Sequence, residues 1–271
     1  MAIPDVSDRS IAELISLSGR NAVVTGGARG IGFAISRRLA EAGANVLIAD
    51  LNEAGAEEAV LKILSTGGRA TYAWVDVSDS ESIKALADEA VPDQERLDIW
   101  VNNAGIFPST PLLEVTDAEW DRVLNINLRG TFMASREAGR RMINAGGGGV
   151  IVNLVSLAAF SAYGPGFSHY TASKHGVVGL TKSLAVELGP HNIRVLAVAP
   201  TLTDTPGLQE GMEAYRAIGL DDVMNQVAAR EPLRRNAVPD DIARVVLFCV
   251  SDLAMLMTGS TLLVDAGDVA V

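Results

Sequence analysis

Short apolar runs alternate with amphipathic segments of helical period along most of the 271-residue chain. Seven runs stand out. They are "NAVVTG" from Asn21, "NVLIAD" to Asp50, "ATYAWVDV" to Val77 and "LDIWVNNAG" to Gly105, then "GVIVNLVS" to Ser156, "IRVLAVAP" to Pro200 and "STLLVDAG" to Gly267. They are continuous rather than alternating, the pattern of strands buried on both faces. Between them lie candidate helices. "FAISRRLAEAG" closes on Gly43, a residue suited to a helix C-cap, and "DSESIKALADEA" opens on the capping residue Asp79.

Strand and helix in repetition predict an α/β fold: a doubly wound parallel sheet of about seven strands with helices on both faces, the Rossmann arrangement. No linker divides the chain. "AGGGG" (Ala145–Gly149) falls between a helix and a strand and reads as a turn. We therefore expect a single domain over residues 1–271, with residues 1–17 as an N-terminal extension. Residues 201–235, containing "TLTDTPGLQEGM", are the least regular part. An irregular segment of that length predicts a substrate-binding loop or lid, with a surface excursion of no role as the alternative.

Composition narrows the partners. Hydrophobic residues make up 48% and charged residues 20%, a globular balance. The net charge of -11 opposes binding to nucleic acid. One cysteine, Cys249, leaves no internal disulfide and fits a reducing compartment. "VVLFCVSDLAMLM" (Val245–Met257) is too short and too interrupted, by Ser251 and Asp252, to span a membrane. It reads as a buried helix and its exit. The acidic N-terminus does not read as a signal peptide, and we expect a cytoplasmic protein with no membrane partner.

"TGGARGIG" (Thr25–Gly32) follows the first apolar run directly. Gly26, Gly30 and Gly32 are spaced G-x-x-x-G-x-G, at the junction where a strand hands over to a helix. No lysine follows, so this is not a P-loop. A glycine-rich turn lets a phosphate approach the backbone, and the helix N-terminus offers N–H groups and a positive dipole end. Asp50 ends the second strand 18 residues after Gly32. An acid there accepts hydrogen bonds from the adenosine ribose hydroxyls of a dinucleotide. A glycine-rich connection with an unrelated acid is the plainer alternative.

"SHYTASKHG" places Tyr170 and Lys174 one helical turn apart. About one free tyrosine in a thousand is phenolate at neutral pH. Making it a working base there takes about 4 kcal/mol of differential stabilisation. A neighbouring ammonium and a cationic nicotinamide would both contribute. Alone, the spacing is also that of any helix face.

Together these motifs resemble the short-chain dehydrogenase/reductase family, from about Leu17 to Gly267. Thr25-Gly26-x-x-x-Gly30-x-Gly32, with Arg29 and Ile31 inside it, is similar to its cofactor loop. Asp76-Val77 is similar to its adenine contact, and Asn102-Asn103-Ala104-Gly105 to its N-N-A-G segment. Asn127, Ser156, Tyr170 and Lys174 match its catalytic tetrad. The resemblance implies that Ser156 positions the substrate oxygen and that Tyr170 moves the proton. Lys174 would lower the tyrosine pKa and hold the nicotinamide ribose. Asn127 would keep a helix kinked around a water that links Lys174 to solvent. Pro200, Thr203 and Thr205 match positions that hold the nicotinamide end, and Leu51 follows Asp50 at the ribose.

The resemblance implies hydride transfer between a nicotinamide cofactor and an alcohol or ketone. Asp50 favours NAD, because a carboxylate repels the 2′-phosphate of NADP. Arg29 favours NADP, and with it a 3-oxoacyl-thioester reductase as the alternative. A catalytically idle dinucleotide-binding protein is the reading from another class. The expected pocket residues are Phe107, Leu157, Ala158, Phe160, Tyr163, Leu202, Leu208 and Met212, mostly apolar, which suits a hydrophobic or cyclic secondary alcohol. His169, His175 and His191 lack metal-ligand spacing, so no metal is expected, and His169 reads as a helix-start residue without chemistry. Four positions depart from the family pattern: Leu196, Thr201, Ala266 and the Ser156–Tyr170 spacing, one residue long. Thr201 places a Cβ close to where the nicotinamide is expected. Family members usually form tetramers or dimers. Apolar Val177, Val178, Leu180 and Leu184 exceed what one buried helix face needs, so a homotetramer is expected.

Overall fold

Every one of the seven apolar runs contains a strand. The computed structural model describes residues 3–90, 96–161, 164–210 and 223–270. The strands are β1 (Asn21–Thr25), β2 (Asn45–Asp50), β3 (Arg69–Trp74), β4 (Ile99–Asn102), β5 (Gly149–Leu154), β6 (Ile193–Pro200) and β7 (Thr261–Val264). They form one sheet in the order β3-β2-β1-β4-β5-β6-β7, with every pairing parallel. β2 and β6 fill their runs, and the other five strands are shorter than theirs. The third stops at Trp74, which frees Val75, Asp76 and Val77 to line a cleft.

Helices cover both faces, as parallel crossovers require. On one face α2 (Gly30–Glu41), α3 (Glu53–Leu64) and the last long helix, Pro239–Val250, pack through Ile35, Leu39, Val60, Ile63, Ile242 and Val246. On the other, α4 (Ser80–Glu89), α6 (Gly130–Ala145) and α7 (Ser168–Leu188) pack through Ile83, Leu86, Met133, Met142 and Leu184. Asp79 caps α4 by accepting hydrogen bonds from Glu81 N and Ser82 N. In α7, Val177 and Leu184 are buried in the chain's own core, while Val178 and Leu180 pack against it. Two of the four residues expected to serve assembly are thus buried within the chain, and two are half-buried. The exposed apolar residues of this pair of helices are Phe132, Ile143 and Val186.

A short helix, α5 (Asp117–Leu124), runs into α6 through a π-helical turn at Asn125–Arg129. The turn is the local form of the kink expected at Asn127. The segment before β1 is not loose. Ser10 and Glu13 form a capping box on the helix Ile11–Ile15, Leu17 is buried, and Arg9 and Arg20 both pair with Asp252. The region expected to be irregular contains helical residues 206–210 and a helix at Val223–Arg230. Among the described residues no helix is long and apolar enough to cross a membrane. Strand order reverses between β1 and β4, and at such a switch point the loops at the strand C-termini diverge and leave a crevice.

Candidate active site

The glycine loop sits in that crevice. Gly26 has φ +63°, and a Cβ there would lie 2.9 Å from Ala104 Cα. A Cβ on Gly32 would lie 2.0 Å from Gly26 O. No side chain fits at either place. The N-N-A-G segment braces the loop from below. Asn103 Nδ2 donates to Thr25 O (3.0 Å) and Gly26 O (2.9 Å), and Thr25 Oγ1 accepts from Asn103 N (3.1 Å) and Ala104 N (3.2 Å). The Asn103 Nδ2 group thus braces the loop. Arg29, at the N-cap of α2, makes no side-chain cap, so the first-turn N–H groups remain available to an anion.

At the end of β2, Asp50 Oδ2 accepts from Ala28 N and Oδ1 from Asn52 N, each at 3.0 Å. This fixes the carboxylate at the cleft wall beside Leu51. Asp76 is fixed similarly, its Oδ1 accepting from Ser78 N (2.8 Å) and Ser78 Oγ (2.7 Å). Arg29 forms a two-pronged ion pair with Glu210, across the cleft from the glycine loop. Gly30 and Thr205 face each other near the same place.

The chemistry-bearing groups gather where β5 and α7 meet. Ser156 Oγ accepts from Ala158 N at 3.1 Å, which leaves its own proton to donate, and it hydrogen-bonds the Tyr170 hydroxyl. Lys174 Nζ donates to Leu154 O at 2.8 Å and lies 5.7 Å from the centre of the Tyr170 ring. Burial pushes Lys174 down to about 8. Desolvation raises the Tyr170 phenol, against the Ser156 hydrogen bond. The chain alone thus does not lower the tyrosine in the way the Tyr–Lys spacing suggests. Asn127, 1% exposed, accepts from Ile106 N (2.9 Å) and donates to Ile106 O (2.8 Å) and Ser173 Oγ (3.2 Å). Both hydrogens of its amide are thereby engaged in holding the strand exit against α7. Behind this site a buried network joins Trp100, Asn102, Ser135, Asn153 and Thr181 at 2.8–2.9 Å, fixing β4 and β5 to α6 and α7. Sequence reading did not foresee it.

One cavity of about 790 Å³ takes in the glycine loop, Asp50, Asp76, Ser156, Tyr170 and Lys174, while Asn127 lies behind its wall. The expected cofactor residues Gly26, Arg29, Gly30, Ile31, Gly32, Asp50, Leu51, Asp76, Val77, Asn103, Ala104, Gly105, Pro200, Thr203 and Thr205 line it, with Ser156, Tyr170 and Lys174. Its volume and glycine-floored cradle fit a dinucleotide. Of the expected substrate residues, Phe107, Leu202 and Leu208 line it. Leu157 and Ala158 do not; both are buried in the 3₁₀ turn after Ser156. Phe160 is also outside, 42% exposed beyond that turn. Tyr163 and Met212 lie outside the described residues. Ile106, Arg122, Ile126 and Phe167 line the cavity without having been foreseen. Among the described residues, no group of three or more His, Cys, Asp or Glu could hold a metal.

The family model described as "Enoyl-(Acyl carrier protein) reductase" matches residues 26–268. The chain is 43% identical to the cis-4-hydroxycyclohexanecarboxylate dehydrogenase of Sinomonas cyclohexanicum, over 93% of this chain and 97% of that one. It is 36% identical to a 3-oxoacyl-(acyl-carrier-protein) reductase of Chlamydia trachomatis, over 93% and 98%. A Beutenbergia cavernae protein described as an NAD(P)-dependent gluconate 5-dehydrogenase, solved with NADP at low occupancy, superposes with a TM-score of 0.87. It shares 38% identity over 95% of this chain and all of that chain. This chain belongs to the short-chain dehydrogenase/reductase family. It is accordingly an oxidoreductase that binds NAD(P).

Within the short-chain dehydrogenase/reductase frame, three of the four departures noted in the sequence can be placed. Leu196 is a core residue of β6. Thr201 is 5% exposed, and its hydroxyl donates to Glu231 Oε1 at 2.7 Å. The other oxygen of Glu231 is buried without a partner among the described residues. Burial raises that carboxyl, and the Thr201 hydrogen bond opposes the rise. Ala266 adopts φ +52°, a left-handed conformation that glycine would adopt without strain.

Proposed function

We propose that this chain transfers hydride between NAD(H) and a secondary alcohol or its ketone, with a hydrophobic or cyclic substrate. The observation that carries the reading is that Ser156, Tyr170 and Lys174 share one cavity with the glycine cradle and Asp50. Ser156, free to donate, positions the substrate oxygen. Tyr170 takes the alcohol proton in oxidation and returns it to the carbonyl in reduction. Lys174, as ammonium, favours the phenolate by its charge. When bound, oxidised nicotinamide would supply the hydride acceptor and a further positive charge.

Asp50, presented by two backbone N–H groups, supports NAD. Arg29 is engaged by Glu210, which supports the same choice. Phe107 and Phe167 stand edge-on to Tyr170, each at 6.4 Å, and give the reacting end apolar walls suited to a ring. The cyclohexane substrate named for the Sinomonas relative agrees. Arg122 also lines the cavity, and a cation there suits a carboxylate on such a ring. The alternative, an NADPH-dependent 3-oxoacyl-thioester reductase, draws support from the Chlamydia relative and the NADP-bound neighbour. The intact Ser156, Tyr170 and Lys174 oppose an idle dinucleotide-binding role. The lone cysteine supports a cytoplasmic location. Family habit, with exposed Phe132, Ile143 and Val186, supports a homotetramer, to be checked by light scattering.

The test is a panel of secondary alcohols, including cyclohexanol and 4-hydroxycyclohexanecarboxylate, assayed with NAD and with NADP by formation of reduced cofactor. Tyr170→Phe should bind cofactor as the wild type does and lose nearly all turnover. Lys174→Ala should lose turnover and cofactor affinity together. Activity retained in Tyr170→Phe would refute the assignment of the base.

A further inference from the structure

The helix that carries Tyr170 and Lys174 starts without an ordinary cap. Phe167 occupies the N-cap position of α7 and makes no side-chain hydrogen bond to the first turn. The Tyr170 N–H, three residues in, would then be an orphan donor. The ring of His169 takes it: Tyr170 N donates to His169 Nδ1 at 2.8 Å. A ring nitrogen that accepts carries no proton, so in the neutral ring the proton is on Nε2. Nε2 lies 3.1 Å from Glu119 Oε1 on α5 and donates to it. The same oxygen accepts from Thr110 Oγ1 at 2.6 Å. The Thr110 hydrogen bond, and after it the one from His169, hold the Glu119 carboxyl below the usual carboxylate range. Thr110 N donates in turn to Gly166 O at 3.0 Å.

These bonds tie together two segments that meet at the reacting end. One is the loop after β4, which carries Phe107 and Thr110. The other leads into α7 and carries Gly166, Phe167 and Tyr170. His169 itself is 0% exposed and lines no part of the cavity. It therefore has no route to substrate, yet its two ring nitrogens bond the tyrosine's own backbone and the opposite wall.

We infer that Thr110, Glu119 and His169 form a clamp in which His169 is a positioning residue for Tyr170. Glu119 fixes the tautomer of the ring, and the ring fixes the first turn of α7 and hence the direction of the Tyr170 side chain. The inference rests on Tyr170 being the proton-transfer group. A histidine that merely filled space would be replaceable by any side chain of similar size.

Three substitutions separate these cases. His169→Asn can place an amide oxygen near the position of Nδ1 and so still accept from Tyr170 N. His169→Gln can reach Glu119 but offers Tyr170 N no acceptor. His169→Leu fills the space and does neither. In steady-state oxidation of cyclohexanol, Leu should lower kcat by about tenfold or more while the KM for NAD stays put, because the tyrosine is displaced and the cofactor loop is not. Asn should recover most of the loss and Gln little of it. Glu119→Ala should lower kcat in the same direction as His169→Leu, by freeing the tautomer, and raise the KM for cyclohexanol, by releasing the loop that carries Phe107; wild-type kcat in this variant overturns the clamp. Wild-type kcat in the Leu variant, or the same loss in all three, overturns the clamp. Ring-nitrogen NMR of histidine-labelled wild type should show His169 neutral and protonated at Nε2 at neutral pH. A ring protonated at Nδ1, or at both nitrogens, overturns the clamp too. The NMR result does not depend on turnover, so it still decides the clamp if cyclohexanol is not oxidised and the proposed activity fails.

Discussion

At the glycine end of the cleft, Thr25, Gly26, Asn103 and Ala104 are joined by four hydrogen bonds of 2.9–3.2 Å, each using at least one backbone group. At the rim, where the segment after β6 meets Arg29 of the glycine loop, the tie runs between side chains. Arg29 and Glu210, which meet across the cleft, are 57% and 61% exposed. A surface made by main chain tolerates few sequences, because any added Cβ collides with backbone that cannot move aside. A surface made by side chains can be built in many ways, and exposed pairs hold it weakly. The first kind leaves a readable motif and the second does not.

Gly32→Ala is the most direct way to break this contrast. Its Cβ would meet Gly26 O at 2.0 Å and Asn103 Nδ2 at 2.5 Å. We expect affinity for NADH to fall at least about 100-fold, roughly 2.7 kcal/mol, in a fluorescence titration. Wild-type affinity would mean that the cradle is not rigid. Next in size is nucleotide choice. Wild type should prefer NAD over NADP by at least about tenfold in kcat/KM, about 1.4 kcal/mol. Asp50→Ala should narrow the gap, and adding Leu51→Arg should narrow it further or reverse it. Paired saturation curves decide this, and no response to Asp50→Ala would reduce the acid to a strand end.

A smaller effect is expected at Glu231. Burial raises its carboxyl, so the folded chain holds that proton more tightly than the unfolded chain does. Stability is then full below the ordinary carboxylate value and falls as pH rises through the folded-state value. Glu231→Gln cannot ionise. Its Tm should match wild type in acid and exceed it near neutrality by roughly 2–4 °C. A parallel pair of Tm-against-pH curves would show that the carboxyl titrates normally. The smallest effect belongs to the rim. Glu210→Ala frees Arg29 and should improve use of NADP by less than about fivefold, with no measurable change in Tm. A larger gain would move nucleotide selection from Asp50 to the rim.

Fold and cradle were legible for related reasons. The five inner strands, β1, β2, β4, β5 and β6, are buried along nearly all their length and so read as apolar runs; the edge strands β3 and β7 are partly exposed, which the continuous-run pattern did not foresee. The glycine loop, Asp50, Ser156, Tyr170 and Lys174 have fixed backbone places, and the spacing along the chain carries them. The substrate end was harder. Ala158 and Phe160 follow Ser156 in sequence, but the 3₁₀ turn at Leu157–Ala159 buries Ala158 and leads Phe160 out of the cavity. Arg122, Ile126 and Phe167 enter because α5, the π turn and the start of α7 converge there, a tertiary fact with no local signature. The bond between Thr201 and Glu231 joins residues 30 apart, and that from His169 to Glu119 residues 50 apart. His169 read as bland because Glu119, the partner of its Nε2, is far from it in sequence.

The π turn at Asn125–Arg129 also constrains how the chain can change length. Without it, α5 and α6 would be one rod. Each residue of an α-helix advances its neighbours by about 100°. The wide turn takes in one more residue than an α turn and leaves the helices on either side in phase. Within the turn Asn127 grips Ile106; beyond it Ser135 receives the Asn102 amide, and Met133 and Met142 face the sheet. Losing one residue here would close the turn to an ordinary α turn and keep α6 in mesh, at the cost of the Asn127 grip. A deletion within α6 itself would instead rotate everything after it by about 100°. The packing of α6 should therefore tolerate a change of length at this turn and not within the helix.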